Sequence, residues 1–96
     1  MTSETYVISV YDLKANSRAR VTEVVEPSGQ LSSGSASVTS RRLAELGFIP
    51  GQIITRLHST RLWGGPISCE VRGTHIALRR AEARLVRCIV EVKENF

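Results

Sequence analysis

Apolar and polar residues alternate in short runs along most of this chain, the period-two signature of half-buried β-strands. Ala19 to Val25 is the first clear run, with Ala19, Val21 and Val25 on one side. Before it, Tyr6, Ile8 and Val10 alternate with Val7 and Ser9, which predicts a short strand or extended lead-in. Residues 12–17 read as a turn-rich connection, and Pro27-Ser28-Gly29 closes the Ala19 run with a turn. Four further strands are predicted over residues 52–59, 67–72, 75–80 and 85–92. Gly73-Thr74 is taken as a two-residue hairpin turn. It pairs Val71 with Ile76 and Cys69 with Leu78 inward, and Arg72 with His75 and Glu70 with Ala77 outward. Arg80 to Arg84 is a polar connection with room for a single helical turn.

One segment departs from the strand period. Leu43 and Leu46 are three apart, a short amphipathic helical face, and Gly47 follows them. Glycine ends a helix in a left-handed conformation without steric cost, and Phe48 can then fold back onto Leu43 or Ala44. Pro50-Gly51 prevents the helix from resuming. Thr39 or Ser40 is the expected cap at the other end. The serines and glycine ahead of it, around residues 28–38, predict a mobile loop, because they bury too little apolar area to offset ordering.

Short strands, one short helix and no crossover helices argue for an all-β fold, a small closed barrel of five or six strands. Ninety-six residues are expected to form one domain spanning 1–96. No run approaches the roughly 18–20 apolar residues of a membrane helix. The N-terminus lacks the basic start and apolar run of a secretory signal, so a cytoplasmic protein is expected.

The ordered set R-L-x-E-L-G-F-x-P-G (Arg42 to Gly51), G-x-P-I (Gly64 to Ile67) and V-x-G-x-x-I-A-L-R-x-x-E-A (Val71 to Ala83) resembles the ferrous iron transport protein A (FeoA) family. The resemblance covers residues 41–90, with a weaker match over residues 13–25. It implies a small SH3-like β-barrel and an accessory role in bacterial ferrous iron uptake. The implied partner is the cytoplasmic part of the iron permease FeoB, near its GTPase domain, with membrane association only through that permease. No cofactor is implied, and neither iron carriage nor nucleotide hydrolysis.

Cys69 and Cys88 sit in the alternating runs Ile67, Cys69, Val71 and Val86, Cys88, Val90, which predicts two buried, reduced core thiols. Alternation puts His75 on the opposite side of its strand from the thiols, so no nucleophile–base pair forms. Metal chelation lacks C-x-x-C or H-x-x-x-H spacing, leaving only a weak two-ligand surface candidate, His58 with Glu70. His58, Arg56 and Glu70 are expected on one side.

The net charge of +4 favours an acidic partner. Nucleic acid is not the expected one, because none of the five aromatics alternates with basic residues as a base-stacking platform requires. A metal-linked regulatory SH3-like module is a further alternative, but the chain has no room for a helix-turn-helix.

A protein-binding surface is the strongest candidate. Arg61, Leu62 and Trp63 lie in a Gly- and Pro-bounded loop, where an aromatic beside arginine is a common interface anchor. Trp63 either anchors a partner or plugs one end of the barrel. Family members carry a segment closer to A-P-L-G-D-P, so Trp63 looks like an insertion here. His58 flanks this surface, and the helix corner, Arg41, Arg42 and Glu45, is a second one.

Overall fold

The computed structural model describes residues 6–27, 38–57 and 65–90. In chain order these are β1 (Val7–Ser9), a 3-10 turn (Val10–Asp12), β2 (Arg18–Val24), α1 (Val38–Leu46), β3 (Ile53–Arg56), β4 (Ile67–Val71), β5 (Thr74–Leu78), α2 (Arg80–Ala83) and β6 (Val86–Val90). The six strands form one antiparallel sheet in the order β1-β6-β2-β3-β4-β5. Among the described residues no pairing joins β1 to β5, so the sheet stays open where full closure was expected. The all-β class stands.

The helix-to-strand corner forms as the sequence dictates. Gly47 has φ 114°. Its N–H donates to the Ala44 carbonyl at 3.0 Å and the Phe48 N–H to the Leu43 carbonyl at 3.0 Å. These are the two bonds of a Schellman cap, which satisfy carbonyls the helix end would otherwise leave open. Leu43 and Phe48, the positions whose apolar contact accompanies such a cap, are both fully buried in the core. Gly51 then docks the corner on β2, its N–H donating to the Val21 carbonyl at 2.7 Å.

The other helix end differs from expectation. α1 begins at Val38, so Thr39 and Ser40 lie inside its first turn rather than capping it. Ser40 is buried, and its hydroxyl donates to Glu26 Oε2 at 3.0 Å, a tertiary bond in place of a local cap. The rest of the Ser/Gly-rich loop lies outside the described residues.

The β4–β5 hairpin is offset by two residues from the predicted pairing. Arg72-Gly73 forms the turn, with Val71 opposite Thr74, Glu70 opposite His75 and Cys69 opposite Ile76. Arg72 has φ 54° and Gly73 φ 77°, the two positive values a type I′ turn requires. The predicted Gly73-Thr74 turn would have put a β-branched residue at positive φ, the costlier arrangement. An offset of two preserves the faces, so Ile67, Cys69, Val71 and Leu78 remain buried.

In β1 the alternation also shifts. Ser9 and Val10 are both buried, because the strand stops at Ser9 and the 3-10 turn begins. Leu13, read as part of a turn, is a core residue. A bulge between Val21 and Glu23 slips β2 against β6 and displaces Val25 from the expected face. The core otherwise gathers Ala19, Val21, Leu43, Phe48, Ile54 and Val86.

Candidate functional site

Cys69 and Cys88 are fully buried and unbonded, as the alternation of their strands requires. Burial pushes each thiol up from 9.0 to about 11, since a thiolate would lose its hydration. The Arg56 guanidinium pulls Cys69 slightly the other way. Neither sulfur is a thiolate at neutral pH, so neither is poised as a nucleophile. His75 is exposed on the other side of β5, away from the thiols.

Arg56 itself sits differently from expectation. Register pairs Arg56 with Cys69 and Thr55 with Glu70, so Arg56 shares the face of Cys69 and not that of Glu70. It spans the sheet end, where Nη1 donates to the Leu13 carbonyl and, at 3.5 Å, to the Tyr11 carbonyl. Its Nε is buried with no hydrogen-bond partner among the described residues. This guanidinium secures the turn after β1. Its inward position follows from the parity of Ile54 and Arg56, which the sequence displays.

The weak metal pair joins a residue outside the described set to one inside it. His58 is not described, and half-buried Glu70 lies between Thr55 and His75 on neighbouring strands. Among the described residues no three His, Cys, Asp or Glu groups converge to hold a metal ion. A shallow groove of about 450 Å³ runs beside this row, lined by Leu57, Ser68, His75, Ile76 and Ala77.

Of the partner-binding candidates, Arg61, Leu62, Trp63 and His58 lie outside the described residues. The helix corner is described. Arg41 and Glu45 are exposed on α1. Arg42 forms an ion pair with Glu82 of α2, their side chains 50% and 13% exposed. Glu82 also accepts the Arg79 backbone N–H at 2.9 Å, the carboxylate half of a helix cap. Arg42 is therefore engaged within the molecule, while Arg41 and Glu45 remain available at the surface.

The sequence reading missed one cluster. The Tyr11 phenol accepts a hydrogen bond from Arg80 Nη2 at 2.7 Å, and the Arg84 guanidinium lies 4.4 Å from the ring centroid. The i, i+4 spacing of Arg80 and Arg84 was visible, but nothing in the sequence ties them to a tyrosine 69 positions away. No helix among the described residues is long and apolar enough to cross a membrane.

The profile of the FeoA domain family matches residues 8–90, from within β1 to the end of β6. No curated protein sequence matches the chain. Among solved structures, the chain is similar to Stenotrophomonas maltophilia FeoA complexed with zinc, at 28% identity and TM-score 0.68, covering 84% of this chain and 88% of that one. That protein is described as a prokaryotic SH3 domain protein, and the SH3-like class expected from the sequence is the one observed. FeoA from Chlorobium tepidum matches at 27% identity and TM-score 0.68, covering 93% of this chain and 74% of that one. IdeR of T. acidophilum matches at 18% identity and TM-score 0.66, covering 94% of this chain but 37% of that one, a likeness of fold alone.

Proposed function

Because the chain belongs to the FeoA family, whose role lies in ferrous iron transport, we propose that it is a non-enzymatic cytoplasmic accessory of ferrous iron uptake. It acts by binding the cytoplasmic part of the iron permease FeoB and supporting transport. The observation that carries this reading is the family match over residues 8–90, which runs from within β1 to the end of β6 and takes in both helices. The Stenotrophomonas maltophilia relative is described as a possible activating factor of bacterial ferrous iron transport, which supports the same role.

The described residues fit a binding protein better than a catalyst. The two thiols are held neutral in the core, and His75 stands apart from them. The contact surface assigned to the permease is the loop with Arg61, Leu62 and Trp63, flanked by His58, with Arg41, Arg42 and Glu45 of the helix corner as the second surface. Arg42 enters it already paired to Glu82, so Arg41 and Glu45 carry more of any contact there.

The test is calorimetric titration of the purified cytoplasmic GTPase region of the permease with this protein and with Trp63→Ala. Saturable binding is expected, weakened at least about thirtyfold by truncating the anchor. A Trp63→Ala protein that binds as well as wild type but melts much lower assigns Trp63 to the barrel end and removes the loop from the interface. No binding by wild type rejects the permease as partner.

A further inference from the structure

The Tyr11, Arg80 and Arg84 cluster borders the helix corner, since Arg42 pairs with Glu82 between the two arginines, but it includes none of the residues assigned to the permease. Arg80 and Arg84 are one turn apart at α2, where like charges repel. Their guanidinium carbons lie 5.4 Å and 4.4 Å from the centroid of one ring, that of Tyr11. The ring face offsets part of the repulsion, but it carries no net charge to neutralise two cations.

The acids next to the cluster in sequence do not pair with its arginines. Asp12, next to Tyr11, accepts the Ser9 hydroxyl at 3.1 Å through Oδ2. Glu82, between the two arginines, holds Arg42 and the Arg79 N–H. Neither arginine has a carboxylate partner among the described residues, and both are exposed. Arg84 is stacked and Arg80 is hydrogen-bonded, so both forks are held in place and lose little freedom on binding.

We propose that Tyr11, Arg80 and Arg84 form a docking site for an acidic protein surface, one that presents two neighbouring carboxylates to the two guanidinium forks. Bidentate arginine–carboxylate geometry suits this pairing. An anionic membrane fits less well, because juxtamembrane recognition takes about four to eight clustered cations, whereas α2 and its two flanking residues supply three, Arg79, Arg80 and Arg84. The inference does not depend on the permease being the partner.

The tyrosine supplies a direct readout. The hydrogen bond from Arg80, and then Arg84, hold the Tyr11 phenol below its ordinary 10.0. Carboxylates that neutralise the forks should move it back up.

The experiment titrates the whole protein with a hexaglutamate peptide at moderate salt, followed by amide and arginine side-chain NMR shifts and by the Tyr11 titration. Saturable shifts centred on Tyr11, Arg80 and Arg84 are expected, with a rise in the Tyr11 pKa. Arg80→Gln and Arg84→Gln should each weaken binding about tenfold, the equivalent of one charge-assisted hydrogen bond. Arg72→Gln, at the far end of β5, should leave it unchanged. Amide shifts that stay unchanged away from the cluster in Arg80→Gln and Arg84→Gln check that any loss does not come from unfolding. The proposal is overturned by absent saturation, by equal weakening in Arg72→Gln, or by inorganic phosphate or phosphatidylglycerol vesicles competing as well as the peptide.

Discussion

Gly47→Ala tests the helix corner and the core behind it together. Two costs apply. At φ 114° a side chain meets backbone strain, worth about 1–2 kcal/mol for a residue with a Cβ. The added Cβ would also lie 2.7 Å from Val71 Cγ1, a distance real Cβ atoms do not tolerate. Val71 is fully buried at the end of β4 and cannot retreat without repacking, which costs roughly 1–3 kcal/mol more. The sum is about 2–5 kcal/mol, a large share of the roughly 5–14 kcal/mol expected for a domain of this size. Gly51→Ala separates the two terms. Gly51 also has positive φ, 91°, but nothing lies within 4 Å of its Cβ position, so it carries the backbone cost alone. Urea denaturation gives both values, and Gly47→Ala should lower the midpoint by roughly 0.3–3 M more than Gly51→Ala. Equal midpoints for the two variants would refute the steric argument, and an unchanged Gly47→Ala midpoint would refute the corner itself.

Three other outcomes follow from the same structure. Arg72→Asn should stabilise the hairpin by about 0.5–1 kcal/mol, because asparagine tolerates positive φ better in a type I′ turn; a lower melting temperature would show that the Arg72–Gln52 hydrogen bond outweighs the strain. Cys69 and Cys88 should label slowly in the native protein and at two sites in denaturant. Their thiols ionise near 9.0 when unfolded and near 11 when folded, so their contribution to stability is complete below pH 9 and is lost as pH rises towards 11. Tyr11, held below 10.0, works in the opposite sense, so the comparison is the pH slope of wild type against Cys69→Ala/Cys88→Ala, which should be flatter. Anaerobic calorimetry should find no stoichiometric submicromolar iron(II) site; finding one would assign iron carriage to the chain.

Much of the fold was written in local pattern. The Gly47 cap was legible because helix period, glycine and Pro50 act within a few residues of each other. The inward thiols were legible because strand parity alone decides them. What escaped the sequence needed a competition or a distant partner. The hairpin register turned on whether Thr74 or Arg72 would occupy positive φ, and both placements kept the faces intact. Ser40 left its cap for Glu26, fourteen residues away, and Tyr11 met Arg80 across the chain. Arg56 was misplaced beside Glu70 although its parity with Ile54 was visible, because a charged residue is by default read outward. The Trp63 loop falls outside the described residues, so its part in the surface rests on sequence.

The central claim is that the chain supports ferrous iron uptake without carrying iron or catalysing a reaction. Initial rates of radiolabelled iron(II) uptake in anaerobic host cells test it most directly, comparing cells with the chain, cells with it deleted, and deleted cells given back the wild-type chain or Cys69→Ala/Cys88→Ala. The account predicts that deletion lowers the rate and that the wild-type chain restores it. The thiol-free variant should restore it equally wherever it accumulates to wild-type level, since neither thiol has a chemical task. Uptake unchanged by deletion would contradict the account.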